Sequence, residues 1–416
     1  MLSSVEAVLT PWVEQLKTRA NLPVLLRWGD GANAHGGLLL GEFSQPRVEI
    51  HVRKASAIPL LLSLSLDSLG QAYVEGQIDV HGRVEDILEV AHRLAEAGAK
   101  PEGRLARAVR SIKHNKKGDS EAIQYHYDVS NDFYQTWLGS AMVYSCAYFE
   151  NGNETLDQAQ EKKIDHILTK LQLQRGQHLL DIGCGWGALV MRAAAKFGAR
   201  CVGVTLSQRQ FELASERVRQ AGLQDRVEIR LQDYRDVQGQ FDRITSVGMF
   251  EHVGLKHLRD YFARIRELLA DDGWVLNHGI TSTDANDGES SLGGGRFIDR
   301  YVFPQGELPH ISTVLKTMQL GGLEAADVEN LRRHYARTMA HWSQAFEASS
   351  DKLRAMIDEK RWRIWRVYLA ACQWTFEHDE TSLYQVLCRT AGGLSNGLPC
   401  PRSWTYPRGG SGWPRV

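Results

Sequence analysis

No apolar run in this chain is long enough to cross a bilayer. The longest, Ala57 to Leu66, is broken by Ser63 and Ser65 and reaches about half of the ~20 residues a spanning helix needs, so a soluble protein is expected. Cysteine is scarce. Cys146, Cys184, Cys201, Cys372, Cys388 and Cys400 form no CxxC pair and keep no regular spacing, which argues against a disulfide framework or zinc knuckle and for reduced thiols in the cytoplasm. The start, MLSSVEAVLTPWVEQLK, carries Glu6 and Glu14 and no basic stretch leading into an apolar core, unlike a secretory signal. Charge of one sign is lacking too: 49 Lys+Arg against 50 Asp+Glu leave a formal net charge of −1, and hence no global field to draw a nucleic acid. What remains is ordinary globular composition, 43% hydrophobic and 24% charged over 416 residues, enough for two or three domains of the usual ~100–150 residues.

Residues 1–99 read as a small α+β accessory domain: a helical pattern over 3–19, short strands in 23–28, 36–42 and 47–53, and a helix near 84–97. A linker over 100–120 follows. Between Lys100 and Lys117 seven cations oppose only Glu102; at spacings of three and four they form either a solvated stripe or a docking site for anionic lipid. From residue 121 to 397 a larger domain is expected. Its strands fall at 178–182, 200–205, 227–231, 241–247 and 273–281, with helices near 188–198, 207–221 and 255–269. Strands alternating with helices imply a doubly wound parallel α/β sheet with ligand at the carboxyl ends of its strands. Residues 283–340 read as an insertion over those ends, and 341–390 as helical. The segment Lys360 to Tyr368 (KRWRIWRVY) is equally a lipid-docking stretch or a core helix with tryptophans inward. The final stretch, 391–416, has six Gly and four Pro; within it, 398–416 is expected to be a disordered tail.

LLDIGCGWGAL (179–189) sets Asp181 and the glycines 183, 185 and 187 directly between a strand and a helix. Glycines at 183 and 185 let the backbone approach a ligand where a Cβ would clash. The spacing is GxGxG and the next strand ends at Thr205, where a dinucleotide site would place a carboxylate. Asp233, ending the third strand, suits an adenine amino group. S-adenosylmethionine, cationic and without phosphates, fits a loop that has no Lys or Arg.

YSCAYF (144–149), LDIGCGWG (180–187), GVTLSQRQ (203–210), LQDYRD (231–236) and VGMFEHVG (247–254) together resemble the cyclopropane fatty acid synthases and the related mycolic acid methyltransferases, from HYDVSNDFY (126–134) to about Gly397. The resemblance implies a Rossmann-like class I S-adenosylmethionine methyltransferase domain. It implies that a methyl group is added to the cis double bond of an unsaturated phospholipid acyl chain, and that the resulting carbocation is deprotonated by bound bicarbonate. It assigns Tyr144, Ser145, Asp181, Gly183, Cys184, Gly185, Gly187, Thr205, Leu206, Gln210, Gln232 and Asp233 to the cofactor. Cys146, Gly248, Glu251, His278, Ile280 and Tyr335 are assigned to bicarbonate. It further implies a homodimer and transient contact with the inner, anionic membrane surface.

The chemistry sets its own demands. An alkene is a weak nucleophile and must be held against the sulfonium in a dry pocket. Tyr144, Tyr148, Phe149, Phe250 and Tyr301 are candidate aromatic shields for positive charge. A carboxylate beside an anion is repulsive unless one of them carries a proton, so Glu251 is expected to accept a hydrogen bond from the bicarbonate hydroxyl. Taken singly, Cys146 reads as a core thiol, His278 equally as a structural histidine or a ligand, and Tyr335 as helix packing. Glu251, His252 and His257 lack HExxH spacing, so no metal is expected. The alternatives are a methyltransferase leaving a methyl or methylene branch on the acyl chain, one acting on a small molecule, or a non-catalytic lipid binder.

Overall fold

A computed structural model describes residues 2–29, 35–98, 129–285, 295–302 and 307–392. The basic segment Lys100–Lys117 and the tail 398–416 lie outside the described residues. Two compact units form, and chain order does not separate them: the first takes in 2–29, 35–98, 295–302 and 346–375, the second 129–285, 307–345 and 376–392.

The first unit holds a four-stranded sheet, β1 (Val24–Trp28), β2 (His35–Leu39), β3 (Val48–Val52) and β4 (Ile78–Gly82), in the order β2-β1-β3-β4. Helices run over Leu2–Arg19, Leu66–Val74 and Val84–Gly98. The helix Glu359–Glu377 gives this unit Arg363, which reaches Asp79 at 2.6 Å and the carbonyls of Tyr73 and Ile78. Trp362, Trp365 and Tyr368 are buried. The neighbouring cations are also committed, Lys360 to Glu75 at 2.9 Å and Arg366 to Glu347 at 2.7 Å. Of the two readings of Lys360–Tyr368, this is the core helix. Tyr301 belongs here as well, its hydroxyl donating to Glu75 at 3.0 Å.

The second unit is built on seven strands: β5 (His178–Ile182), β6 (Arg200–Thr205), β7 (Val227–Leu231), β8 (Phe241–Val247), β9 (Leu269–Ser282), β10 (Leu323–Asn330) and β11 (Thr381–Thr390). Their order is β10-β11-β9-β8-β5-β6-β7. Strands β5 to β9 pair in parallel, as their helix-length connections require, while β11 joins β9, and β10 joins β11, antiparallel. Alternation splits each strand between two cores. Leu180, Ile182 and Val275 pack with the Leu258–Leu268 and Ile311–Leu320 helices. Leu179, Leu276 and Leu387 pack with Ile164, Ile167 and Leu168 of the Leu156–Lys170 helix. That helix opens with a reciprocal cap in which Thr155 Oγ1 accepts from Gln158 N–H and Gln158 Oε1 from Thr155 N–H.

Three expectations need correction. Residues 283–340 are not wholly an insertion, because β10 is the edge strand of the sheet. Residues 341–390 do not stay helical, because 381–390 form β11. The helix expected over 188–198 is α-helical only over Ala188–Arg192 and widens to a π-helix over Ala193–Phe197.

Candidate active site

At the carboxyl ends of β5, β6, β7 and β8 a cavity of about 400 Å³ opens, where a doubly wound sheet is expected to bind ligand. After β5 the chain takes left-handed conformations at Gly183, Gly185 and Gly187, with φ of +79°, +53° and +82°. A Cβ on Gly183 would stand 2.5 Å from Met249 Sδ, so a side chain is excluded there by strain and by space. The amides of Gly183 and Cys184 both donate to the Val204 carbonyl at 3.0 Å, tying the loop to β6.

Of the twelve residues assigned to the cofactor, eleven line the cavity: Tyr144, Ser145, Asp181, Gly183, Cys184, Gly185, Thr205, Leu206, Gln210, Gln232 and Asp233. Gly187 lies behind it, against Ala214. Thr205 Oγ1 donates to Gln210 Oε1 at 2.7 Å and Asp233 is paired with Arg235 at 2.7 Å. The cations of the lining already have partners: within the wall Arg235 pairs with Asp233 and Lys163 donates to Ser145 Oγ at 2.8 Å, while Arg264 pairs with Glu267 at 2.6 Å. Burial pulls the Lys163 ammonium down to about 8 against the opposing influence of Cys146 and Asp181. It pushes Asp181 up to about 6 despite a hydrogen bond from Thr245 and the nearby Lys163 charge. Tyr144 enters from an aromatic cage, its ring 5.3 Å from Trp342, 5.6 Å from Trp137 and 5.8 Å from Tyr134.

The six residues assigned to bicarbonate fall into two groups. Gly248, which also lines the cavity, donates its N–H to the His278 carbonyl at 2.8 Å, and Ile280 N–H donates to Glu251 Oε1 at 2.7 Å. Cys146 and Tyr335 approach one carbonyl, that of Leu331, which accepts from Tyr335 N–H at 3.0 Å and lies 3.8 Å from the Cys146 sulfur, whose thiol has a shorter acceptor in the Ala147 carbonyl at 3.2 Å. Leu331 N–H in turn donates to the Leu383 carbonyl, and Leu383 pairs with Ile280 across β11 and β9. Glu251 Oε2 and His278 Nε2 are buried with no hydrogen-bond partner among the described residues. Two buried polar atoms left unmatched cost free energy unless a ligand meets them. Burial raises the Glu251 carboxyl to about 7 against the Ile280 hydrogen bond. It lowers His278 well below its ordinary value, reinforced by the charges of Lys163 and Lys170. Burial also raises the Cys146 thiol, which is therefore uncharged.

The aromatic shields do not all gather here. Tyr148 stacks on His166 at 4.2 Å, Phe149 on His341 at 5.5 Å, Phe250 lies where a Cβ on Gly279 would stand, and Tyr301 is in the other unit. Of the five, Tyr144 alone is on the cavity wall. Sequence reasoning missed Lys163, His166, Lys170 and Gln385. Their signal was polar residues on the buried face of an amphipathic helix: Gln160, Lys163, His166 and Lys170 recur at spacings of three and four and all point inward.

Residues 114–386 match the family described as mycolic acid cyclopropane synthetase, and residues 12–101 match a domain of unknown function. A probable fatty acid methyltransferase of Pseudomonas putida is 44% identical over 383 residues, 92% of this chain and 94% of that one. The cyclopropane-fatty-acyl-phospholipid synthase of Escherichia coli K12 is 38% identical over 277 residues, 67% of this chain and 69% of that one. A mycolic acid cyclopropane synthase solved with SAH and CTAB superposes with a TM-score of 0.63 at 35% identity, covering 65% of this chain and 98% of that one. The seven-stranded sheet is thus the class I methyltransferase fold that the sequence led us to expect.

Proposed function

Because the chain belongs to the mycolic acid cyclopropane synthetase family, we propose that it is an S-adenosylmethionine-dependent methyltransferase that converts the cis double bond of an unsaturated phospholipid acyl chain into a cyclopropane ring. One observation carries this reading. Gly248 belongs both to the glycine-rich cavity and to the cluster where Glu251 and His278 leave polar atoms unmatched, so a methyl donor and a proton acceptor would be neighbours.

When bound, S-adenosylmethionine supplies a methyl group on a positively charged sulfur, and bicarbonate supplies a small proton-accepting anion. The chain's residues suit both. The cavity suits a cationic ligand without phosphates, since Arg235 and Arg264 of its lining are already paired with carboxylates. Tyr144 and the rings behind it keep water out and offer a π face to positive charge, worth ~0.5–2 kcal/mol. Glu251 Oε2, as carboxylate, accepts the hydrogen bond of the anion's hydroxyl, and a carboxyl poised at about 7 can release that proton at neutral pH. Charge alone would let the cations of Lys100–Lys117 bring the protein to an anionic membrane.

A second reading, in which the product keeps a methyl or methylene branch, is favoured by the similarity to the P. putida protein, named a probable fatty acid methyltransferase. Mass spectrometry of phospholipid acyl chains from cells making the protein, fed a labelled methyl donor, separates the two. A labelled chain about 14 Da heavier with no remaining double bond supports ring formation. The same mass with an alkene retained, or no labelled acyl chain, overturns it.

A further inference from the structure

Three strands of the sheet carry one polar row. Glu329 on β10 pairs with Gln385 on β11, and Gln385 pairs with His278 on β9. Directly opposed residues share a face at ~5 Å between Cβ atoms, so these side chains stand abreast beneath the Leu156–Lys170 helix. The helix contributes His166 and Lys170, both buried. His166 Nε2 lies 2.8 Å from Glu329 Oε2, and Lys170 Nζ donates to the same oxygen. Lys170 Nζ also donates to Gln385 Oε1 at 3.2 Å, and Gln385 Nε2 lies 3.3 Å from His278 Nδ1. Beyond that ring is His278 Nε2, which no group of the described residues meets.

Donor and acceptor rules fix the direction of this chain. A lysine ammonium only donates, so the Gln385 atom beside it is the carbonyl oxygen and the amide nitrogen faces the histidine. An amide NH₂ only donates, so His278 Nδ1 is the acceptor. A neutral imidazole accepting at Nδ1 carries its single proton on Nε2. Glu329 serves the same end. Burial would raise its carboxyl, but His166 and Lys170 together hold it at about 2, so a fixed negative charge stands against the Lys170 amine that donates to it.

We propose that Lys170 and Gln385 are positioning residues that lock His278 as its Nε2–H tautomer, aiming a hydrogen-bond donor at the anion that accepts the reaction's proton. The opposite tautomer would turn a lone pair toward that anion and repel it. This inference rests on the anion reading of the site, and Glu251 supplies the acceptor opposite the His278 donor.

The test is Gln385→Glu in the full chain. A carboxylate there accepts from Lys170 and demands a proton on His278 Nδ1, so one oxygen replacing one NH₂ should flip the ring. Nitrogen NMR on ¹⁵N-histidine protein, with His278→Gln to assign the signal among 15 histidines, reads the tautomer without any turnover. The wild type should carry the proton on Nε2, and Gln385→Glu on Nδ1. Turnover in that variant should fall about 10- to 100-fold, the cost seen when the partner orienting a liganding histidine is lost. S-adenosylmethionine affinity should stay within about twofold. Lys170→Arg, which keeps a donor on Gln385 Oε1, should retain the Nε2–H signature. A wild-type proton on Nδ1, or a Gln385→Glu variant with unchanged tautomer and turnover, overturns the proposal. Wild-type turnover indifferent to added or depleted bicarbonate would instead remove the anion and leave the tautomer assignment standing.

Discussion

The glycine-rich cavity and the Glu251–His278 cluster share one sheet and one residue, Gly248, but they are made of different materials. Backbone conformation shapes the cavity: three left-handed glycines, a loop hung on the Val204 carbonyl, and a lining drawn from residues 142–264. Side chains in cross-strand register shape the cluster, drawn from residues as far apart as Cys146 and Gln385. Local backbone suffices to cradle a ligand that many enzymes bind. Handling one proton needs oriented donors and acceptors, and a slip of one residue in β11 would turn Gln385 to the other face.

Substitutions confined to one side test that division. Glu251→Gln touches only the cluster: turnover should drop by ~10²-fold or more while calorimetry finds S-adenosylmethionine affinity nearly unchanged, and equal losses in both would erase the distinction. The wild-type rate should also rise as pH is brought up through about 7, where the buried Glu251 carboxyl loses its proton. The carboxylate is the acceptor, so Glu251→Gln should lack that limb; a limb that persists belongs to another group. Gly183→Ala touches only the cavity. Its φ of +79° and the Met249 contact should weaken S-adenosylmethionine by ~10- to 100-fold, with turnover at saturating donor within a few-fold; intact affinity would deny the loop its role. Thr155→Ala should spare both sites and cost only ~1 kcal/mol in urea unfolding, the worth of an N-cap, because it loosens the start of the helix that carries Lys163 and Lys170. A selective loss of turnover would tie the cap to the chemistry.

The same contrast governs what the sequence reveals. Strands β5 to β8 and the glycine loop are written locally, as short apolar runs and a GxGxG spacing, and all four strands lie where the pattern puts them. Strand β10, LEAADVEN, is rich in helix formers (Leu323, Glu324, Ala325, Ala326 and Glu329) and is held as a strand by its pairing with β11. Strand β11 is buried on both faces and so lacks clean alternation. It follows the Glu359–Glu377 helix with no proline or glycine between; the turn is made by Asp379 at φ +60°. Lys163, His166 and Lys170 look like the wet side of an amphipathic helix until the sheet is laid beneath them. The family motifs name Glu251 and His278, but the register that orients them is a property of three strands at once.

Strand order also sets a sequence of events during synthesis. Every described residue of the cavity wall has left the ribosome once Arg264 has emerged. His278 then waits for Gln385, 107 residues later in the chain. Until β11 arrives, the stretch of β9 that it pairs with, Trp274 to Ser282, forms an open edge, a template for pairing with other chains. A nascent chain can therefore assemble the nucleoside cradle long before its proton-handling half exists. In that interval the hazard is aggregation along β9, and the last strand to be made both caps that edge and completes the enzyme.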